Sequence, residues 1–338
     1  MNVTMKQIAE RTGVSINAVS LALNGKKGVS DAMRKKILLT AAEMGYIAQN
    51  ERYRRISSYL NICVMMKKEY YSINTLDFYP RVLYGIEKAA KANGYDIVLS
   101  IIDSKRTVPA VVAERRVCGI IVLGSIEDPF LTRVKSIGLP IVLVDHASPA
   151  LALDCIMTDN RFGTMEAVRF LFQAGSRKIG FFGDFSYSNS NRERFFGYQE
   201  AMLCFGGGER TERMRDVFRY SILENIEPLI QQRNAWGIAK ILERVKDLPE
   251  AYQCSNDTAA FVLNNAQGLL HYHVPEDIAV IGFDDKSIAT MMMPPLTTLH
   301  VANDRMGQKA VQKLLWRLEN PRAHSEKVMM EVDLMVRG

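Results

Sequence analysis

The chain is poor in the features that mark secreted, metal-bound and membrane-embedded proteins. Its five cysteines, Cys63, Cys118, Cys155, Cys204 and Cys254, are odd in number and widely spaced, with neither a CxxC pair nor a histidine cluster beside them. That pattern excludes a disulfide framework and speaks against a metal site, so reduced core residues are expected and neither metal nor cofactor is assigned. No uninterrupted apolar run reaches the roughly 18 residues that a membrane span requires. The start, "MNVTMKQIAERTG", lacks a basic stretch followed by an apolar core, so it does not read as a secretory signal. A cytoplasmic protein with no membrane partner is expected. Nucleophile-elbow, GxxxxGK[ST] and HExxH patterns find no support, and the glycine triple Gly206 to Gly208 follows a helical stretch, the wrong context for dinucleotide binding.

Charge is also missing from most of the chain. The net +6 of the 338 residues lies entirely in the first 56, which hold ten Lys or Arg against four acids. The remainder balances at 33 of each. A small basic module on a neutral body is the charge distribution of a polyanion binder, because neutralising phosphates supplies most non-specific nucleic-acid affinity.

Within that module one stretch, Thr12 to Gly25, has no charged residue at all. Thr4 and Gln7 form a capping box for a first helix from about Met5 to Arg11. Gly13 supplies a turn, Ser15 caps a second helix through Leu23, and Gly25 stops it. Ser30 caps a third helix that ends at Gly45. In the second helix, Val19, Ala22 and Leu23 recur at i, i+3, i+4 and pair with Ile8, Ala9 and Val14. Ile16, Asn17, Ser20, Leu21 and Asn24 are left on the opposite face. Two large apolar residues on the outer face of a basic module point to a partner surface. The major groove fits, since Asn pairs with adenine and apolar side chains meet thymine methyls.

The segment "VTMKQIAERTGVSINAVSLALNGKKGVSDAMRKKILLTAAEMGYI" resembles the DNA-binding head of the lactose-repressor (LacI/GalR) family of bacterial transcription regulators. The matching residues are Thr4, Ala9, Gly13 to Ser15, Val19 and Ser20, Leu23 and Asn24, Val29 and Ser30, and Gly45 and Tyr46. The resemblance implies that Ser15, Ile16, Asn17 and Leu21 face bases, while Thr4, Ser20, Asn24 and Ser30 touch phosphates. The connecting segment departs from the family. Ala48 stands where a Pro is usual, and Arg52, Tyr53, Arg54, Arg55 and Ile56 follow. Ile56 is the candidate minor-groove wedge on a linker one residue shorter, whereas Arg55 falls at the ungapped position.

Beyond the linker, short apolar runs such as "NICVMM", "GIIVLG", "PIVLVD", "KIGFFGD" and "IAVIGFDD" alternate with helical stretches. Alternation of this kind predicts parallel sheets covered by helices on both faces, and the length admits two. Ligands in such sheets bind beyond the carboxyl ends of strands, which directs attention to Asp145, Asn256, Asp257, Asp284 and Asp285. For Asp257 and Asp285 a helix cap is the preferred reading. Trp236 has helical core spacing, and Met291 to Met293 read as packing filler more than as a hinge or dimer contact.

The segments "CSNDTAA", "VPEDIAVIGFDDKSIATMMMPPLTT", "DNRFGTMEAVRFLFQAGSRKIGFFGD" and "RERFFGYQEAM" carry the family resemblance across nearly the whole chain. It implies an all-α helix-turn-helix head on an α/β core like a periplasmic binding protein, two doubly wound parallel-sheet lobes with an effector between them. The expected boundaries are a head at 1–47, a hinge at 48–60 and a core at 61–338. Within the core, the first lobe is expected at 61–157 and 291–320, the second at 158–290 and 321–338. By resemblance Arg194 grips the effector, Asp284 and Asn256 hold it from the second lobe, and Asp145 from the first. Phe78 and Tyr79 fall where aromatic cleft residues are usual, although two aromatics at a helix start also suit a core. The expected partners are pseudo-palindromic operator DNA, a sugar-like or nucleobase-like effector and a second copy of the chain. A regulator that senses a partner protein, and a sugar or nucleoside enzyme with an accessory head, are the alternatives.

Overall fold

Three helices open the chain in a computed structural model that describes residues 3–23, 26, 28–46, 61–71, 78–102 and 107–337. Helices α1 (Met5–Thr12), α2 (Ile16–Leu23) and α3 (Asp31–Glu43) close on a core that includes Ile8, Val19, Leu23, Ile37 and Leu38. The Thr4–Gln7 capping box is formed from both sides, and Gly13 ends α1 at φ 74°, a left-handed conformation that glycine adopts without steric cost. Ser15 and Ser30 accept from the amides of Ala18 and Met33, so each helix starts where its cap lies in the sequence.

The first lobe is a six-stranded parallel sheet. In chain order its first five strands are β1 (Asn61–Lys67), β2 (Asp96–Ile102), β3 (Gly119–Leu123), β4 (Ile141–Val144) and β5 (Asp154–Thr158), with α4 (Tyr79–Ala92) and α5 (Asp128–Lys135) among the connections; the sixth comes from the C-terminal tail. After α6 (Asn160–Gln173) come β6 (Ile179–Phe182), α7 (Asn189–Phe205), β7 (Ala251–Cys254), α8 (Asp257–Leu269) and β8 (Ala279–Ile281), whose strands form the three-stranded parallel sheet of the second lobe. Strands such as Gly119–Leu123 and Ala251–Cys254 are buried at every residue, as expected of parallel strands covered on both faces.

The chain then runs through β9 (Thr298–His300) and α9 (Asn303–Glu319) to β10 (Lys327–Met330) and β11 (Asp333–Met335). This tail corrects the expected lobe boundaries. Residues 291–300 stay with the second lobe, where Thr297 and His300 bridge to Ile281 and Asp284. The return to the first lobe comes at α9, which packs against α4 so closely that a side chain on Gly85 would meet the Asp304 carbonyl. β10 then pairs with β5 at the edge of the first sheet, not in the second lobe, and only β11 crosses back to pair with β9. Two residues separate β10 from β11, so along the sequence they read as one apolar segment.

Three other expectations are corrected. Trp236 is 68% exposed, and Met291 and Met293 project outward while only Met292 is buried. The cap of α8 is Asn256, not Asp257, and Asp285 is held by His300 and Arg337 instead of capping a helix. Cys63, Cys118, Cys155 and Cys254 are buried and Cys204 is exposed, all as free thiols. No helix among the described residues is long and apolar enough to cross a membrane.

Candidate ligand cleft and nucleic-acid interface

The cleft is assembled from strand ends. Asp145 directly follows β4, in a left-handed conformation at φ 56° that turns the chain out of the sheet. Its carboxylate accepts hydrogen bonds from Tyr79 Oη at 3.0 Å and from Ser190 Oγ at 2.9 Å. Tyr79 opens α4 in the first lobe and Ser190 lies in the first turn of α7 in the second, so Asp145 is tied to both lobes. Burial pushes the Asp145 carboxyl above its ordinary range, against the pull of its Ser190 hydrogen bond and the nearby Arg194 charge. The Tyr79 phenol is raised further, by burial and then by the Asp145 charge.

Arg194 occupies the second wall, one turn further along α7. Its guanidinium donates Nε to Asn160 Oδ1 at 2.8 Å, one terminal nitrogen to the Ser255 carbonyl at 2.5 Å and the other to Asp284 Oδ1 at 2.9 Å. The plane lies on the Phe283 ring, 3.7 Å from carbon to centroid. Three fixed acceptors and one aromatic face leave the arginine a single orientation, with two N–H donors over. Asp284 follows β8 at φ 101° and also receives Lys286 Nζ at 3.2 Å. Asn256 spends its side-chain oxygen on the Ala259 amide at 3.0 Å, which leaves its Nδ2 as the end available to a ligand.

These groups border one cavity of about 640 Å³, and all six side chains expected in the cleft, Phe78, Tyr79, Asp145, Arg194, Asn256 and Asp284, line it. That is room for a drug-sized or smaller molecule. Phe78 and Tyr79 are both largely buried, edge to face with centroids 5.1 Å apart, so they act as packed wall and cavity lining together. Sequence reasoning missed Lys67, Tyr70, Tyr187, Asn191, Gln231 and Lys286, which also line it. Lys67 and Lys286 were in reach, one at the end of a strand and the other two residues beyond Asp284. Gln231 carried no signal, because it belongs to the short helix Glu227–Gln231, far from any strand end.

On the head, Ser15, Ile16 and Asn17 are exposed at the start of α2, and Ile16 has 49% of its surface open. Ser20 and Leu21 are half-buried, with Gly28 packed so that a side chain there would touch Leu21. Thr4 and Ser30 are exposed caps. Asn24, Ile56 and the whole 48–60 linker lie outside the described residues. The flanking charge divides in two. Lys6, Arg11 and Lys26 are exposed. Arg34 instead donates to the Lys26 carbonyl, Lys36 to the Thr12 carbonyl, and the Lys35 ammonium lies 4.7 Å from the centre of the Tyr95 ring in the first lobe.

Residues 4–49 match the family of bacterial regulatory proteins named for lacI, and residues 168–338 match a periplasmic binding protein-like domain. Over 342 residues the chain is 29% identical to the HTH-type transcriptional regulator GalR of Lacticaseibacillus casei, covering 99% of this chain and 98% of that one. It is 27% identical to the HTH-type transcriptional repressor PurR of Photobacterium profundum, covering 99% and 97%. A lac repressor dimer solved on its operator with the anti-inducer ONPF superposes with a TM-score of 0.69 at 23% identity, over all of this chain and 98% of the other.

Proposed function

Since this chain belongs to the lacI family of bacterial regulatory proteins, we propose that its cleft holds a small hydroxyl-rich or nucleobase-like effector that sets how tightly the head grips operator DNA. The protein is a DNA-binding transcription regulator built to act as a homodimer on a pseudo-palindromic site, where the two-fold axis of the dimer matches that of the DNA. Residues 1–47 form the reading head, 48–60 the hinge and 61–338 the sensing core. The work is done in the cytoplasm, and the cleft binds its ligand without turning it over.

One observation carries this reading. Six side chains from five segments, three on each lobe, converge on a single cavity that both lobes share. A ligand that touches both walls favours the closed arrangement by the difference in its affinity for the two states. Closure moves the first lobe, which the head adjoins through Lys35 and Tyr95.

On the DNA, Ser15, Ile16, Asn17 and Leu21 read bases, and Thr4, Ser20, Asn24 and Ser30 meet phosphates. Ile56 is the proposed minor-groove wedge. The test is fluorescence anisotropy on a duplex selected from random DNA, titrated with sugars and nucleobases. A ligand that shifts operator affinity must have its own affinity shifted by the same factor when operator is present. A full panel that leaves operator affinity untouched would overturn the proposal, and so would recovery of a chemically altered ligand.

A further inference from the structure

We propose that the head is held on the core by direct contact of α3 with the first lobe, and that this contact sets how ready the head is to bind operator. Lys35 and Leu39 stand four residues apart on α3 and so share one face of it. Ile37, Leu38 and Ala41 of the same helix are buried in the head's own core, to which Leu39 does not belong. Lys35 and Leu39 instead meet the corner where α4 turns into β2. The Lys35 ammonium lies 4.7 Å from the centre of the Tyr95 ring, within the range of a cation–π contact. The Leu39 side chain comes so near Gly94 that a β-carbon there would lie 2.7 Å from Leu39 Cδ2. Burial pushes the nearby Cys118 thiol up to about 12, and the Lys35 charge is among the influences that draw it back. A lysine of the basic module is thus spent on the lobe.

The corner is a firm platform. The Gly94 amide donates to the Lys91 carbonyl and the Tyr95 amide to the Ala90 carbonyl, at 3.0 and 2.9 Å, and Tyr95 is itself buried. Docking and reading use different parts of the head, because Ser15, Ile16 and Asn17 stay exposed at the start of α2 while α3 lies on the lobe. A docked head therefore offers its reading residues with much of its freedom already lost, and has less to lose on DNA. The far end of α4 gives the contact a second meaning, which rests on the ligand-binding reading above. Tyr79 opens α4, borders the cavity and donates to Asp145. The 14 residues of α4 span about 21 Å, and α9 clamps the helix midway at Gly85. One rigid helix thus has a wall of the cleft at its start and the head's support at its end.

Fluorescence anisotropy decay of the full-length, DNA-free protein tests the contact. The dye is placed on Lys26→Cys in a Cys204→Ser background, since the other four cysteines are buried. A docked head tumbles slowly with the whole protein, whereas a head on a tether adds a nanosecond component. The parent should show the slow decay alone, Leu39→Asp should add the fast component, and Leu39→Met should behave as the parent does. In operator titrations Leu39→Asp should bind about tenfold more weakly, as releasing a pre-ordered element does, with its base preferences intact because the head still folds. The milder Leu39→Ala should fall between the two in both measurements. Leu39→Asp should also cut, at least about fivefold, the shift in operator affinity caused by the sugar or nucleobase that responds in the panel above, without changing that compound's affinity for the DNA-free protein. A fast component in the parent overturns the docking, and so does operator affinity that Leu39→Asp leaves unmoved or tightens. A ligand-induced shift that survives Leu39→Asp in full overturns the link through α4. A silent panel overturns the ligand-binding reading and that link with it, while the decay and the operator titration still decide the docking.

Discussion

Ser190 Oγ donates to Asp145 Oδ1 at 2.9 Å and so joins the two walls of the cleft directly, side chain to side chain. Removing one donor from a buried carboxylate costs about 1–3 kcal/mol. Ser190→Ala should therefore loosen the lobes, and small-angle scattering should report a larger radius of gyration for the variant. An unchanged radius would show that this bond has no part in closure.

Arg194 cannot be replaced by lysine. A lysine ammonium cannot reach the Asn160, Ser255 and Asp284 acceptors in one plane while lying on Phe283. Arg194→Lys should weaken ligand binding at least a hundredfold in calorimetry. It should also lower stability by about 3–5 kcal/mol, because Asp284 loses its closest partner in a buried site. Near-native binding would remove the arginine from the centre of the site.

Asp257 makes stability depend on pH. Burial, and then the neighbouring Asp284 charge, push its carboxyl up to about 7, although Thr298 Oγ1 and the Lys286 amide both donate to it. The folded chain keeps a proton that the unfolded chain releases from about pH 4 upward. Stability is therefore highest on the acid side of this window and falls as pH rises toward 7, by up to about 1.4 kcal/mol per pH unit. Asp257→Asn should flatten that slope in urea titrations at pH 5, 6 and 7, and a slope that persists would assign it to another group.

The contact of α4 with α9 depends on having no side chain at Gly85. A β-carbon there would lie 2.0 Å from the Asp304 carbonyl oxygen, which only backbone movement could relieve. Gly85→Ala should cost at least about 2 kcal/mol in urea denaturation, toward the upper end of what overpacking does. Full stability would mean that the two helices do not approach as described.

On DNA, half-sites selected from random sequence should be rich in A·T where Ile16, Asn17 and Leu21 meet bases. Asn17→Ala should relax the preference for adenine at one position by about 1–3 kcal/mol. Lys6→Ala or Lys26→Ala should instead weaken all sequences alike and reduce the salt slope by about one. Selected sites rich in G·C at those positions would contradict the assignment.

The head and the alternation of strands and helices were legible in the sequence because both depend on local chemistry. Thr4 with Gln7, the Ser15 and Ser30 caps and the buried trio Val19, Ala22 and Leu23 need only their near neighbours. Asp145, Asn256 and Asp284 could be found because each lies within three residues of the carboxyl end of a strand, where an open sheet presents its ligand groups. Composition alone located the basic module.

Tertiary structure decided what depends on contacts between distant segments. Which strand β10 joins follows from the free edge of β5, and no local pattern in "EKVMMEVDLMVRG" contains that information. The exposure of Trp236 and Met293 is set by what fails to pack over them. Asn256, not Asp257, caps α8 because Thr298 and Lys286 from elsewhere in the chain claim the aspartate. Likewise Gln231 reaches the cavity from the short helix Glu227–Gln231, which the sequence did not mark as part of any site. The sequence determined which groups the protein has to offer; packing determined which of them meet at the cavity.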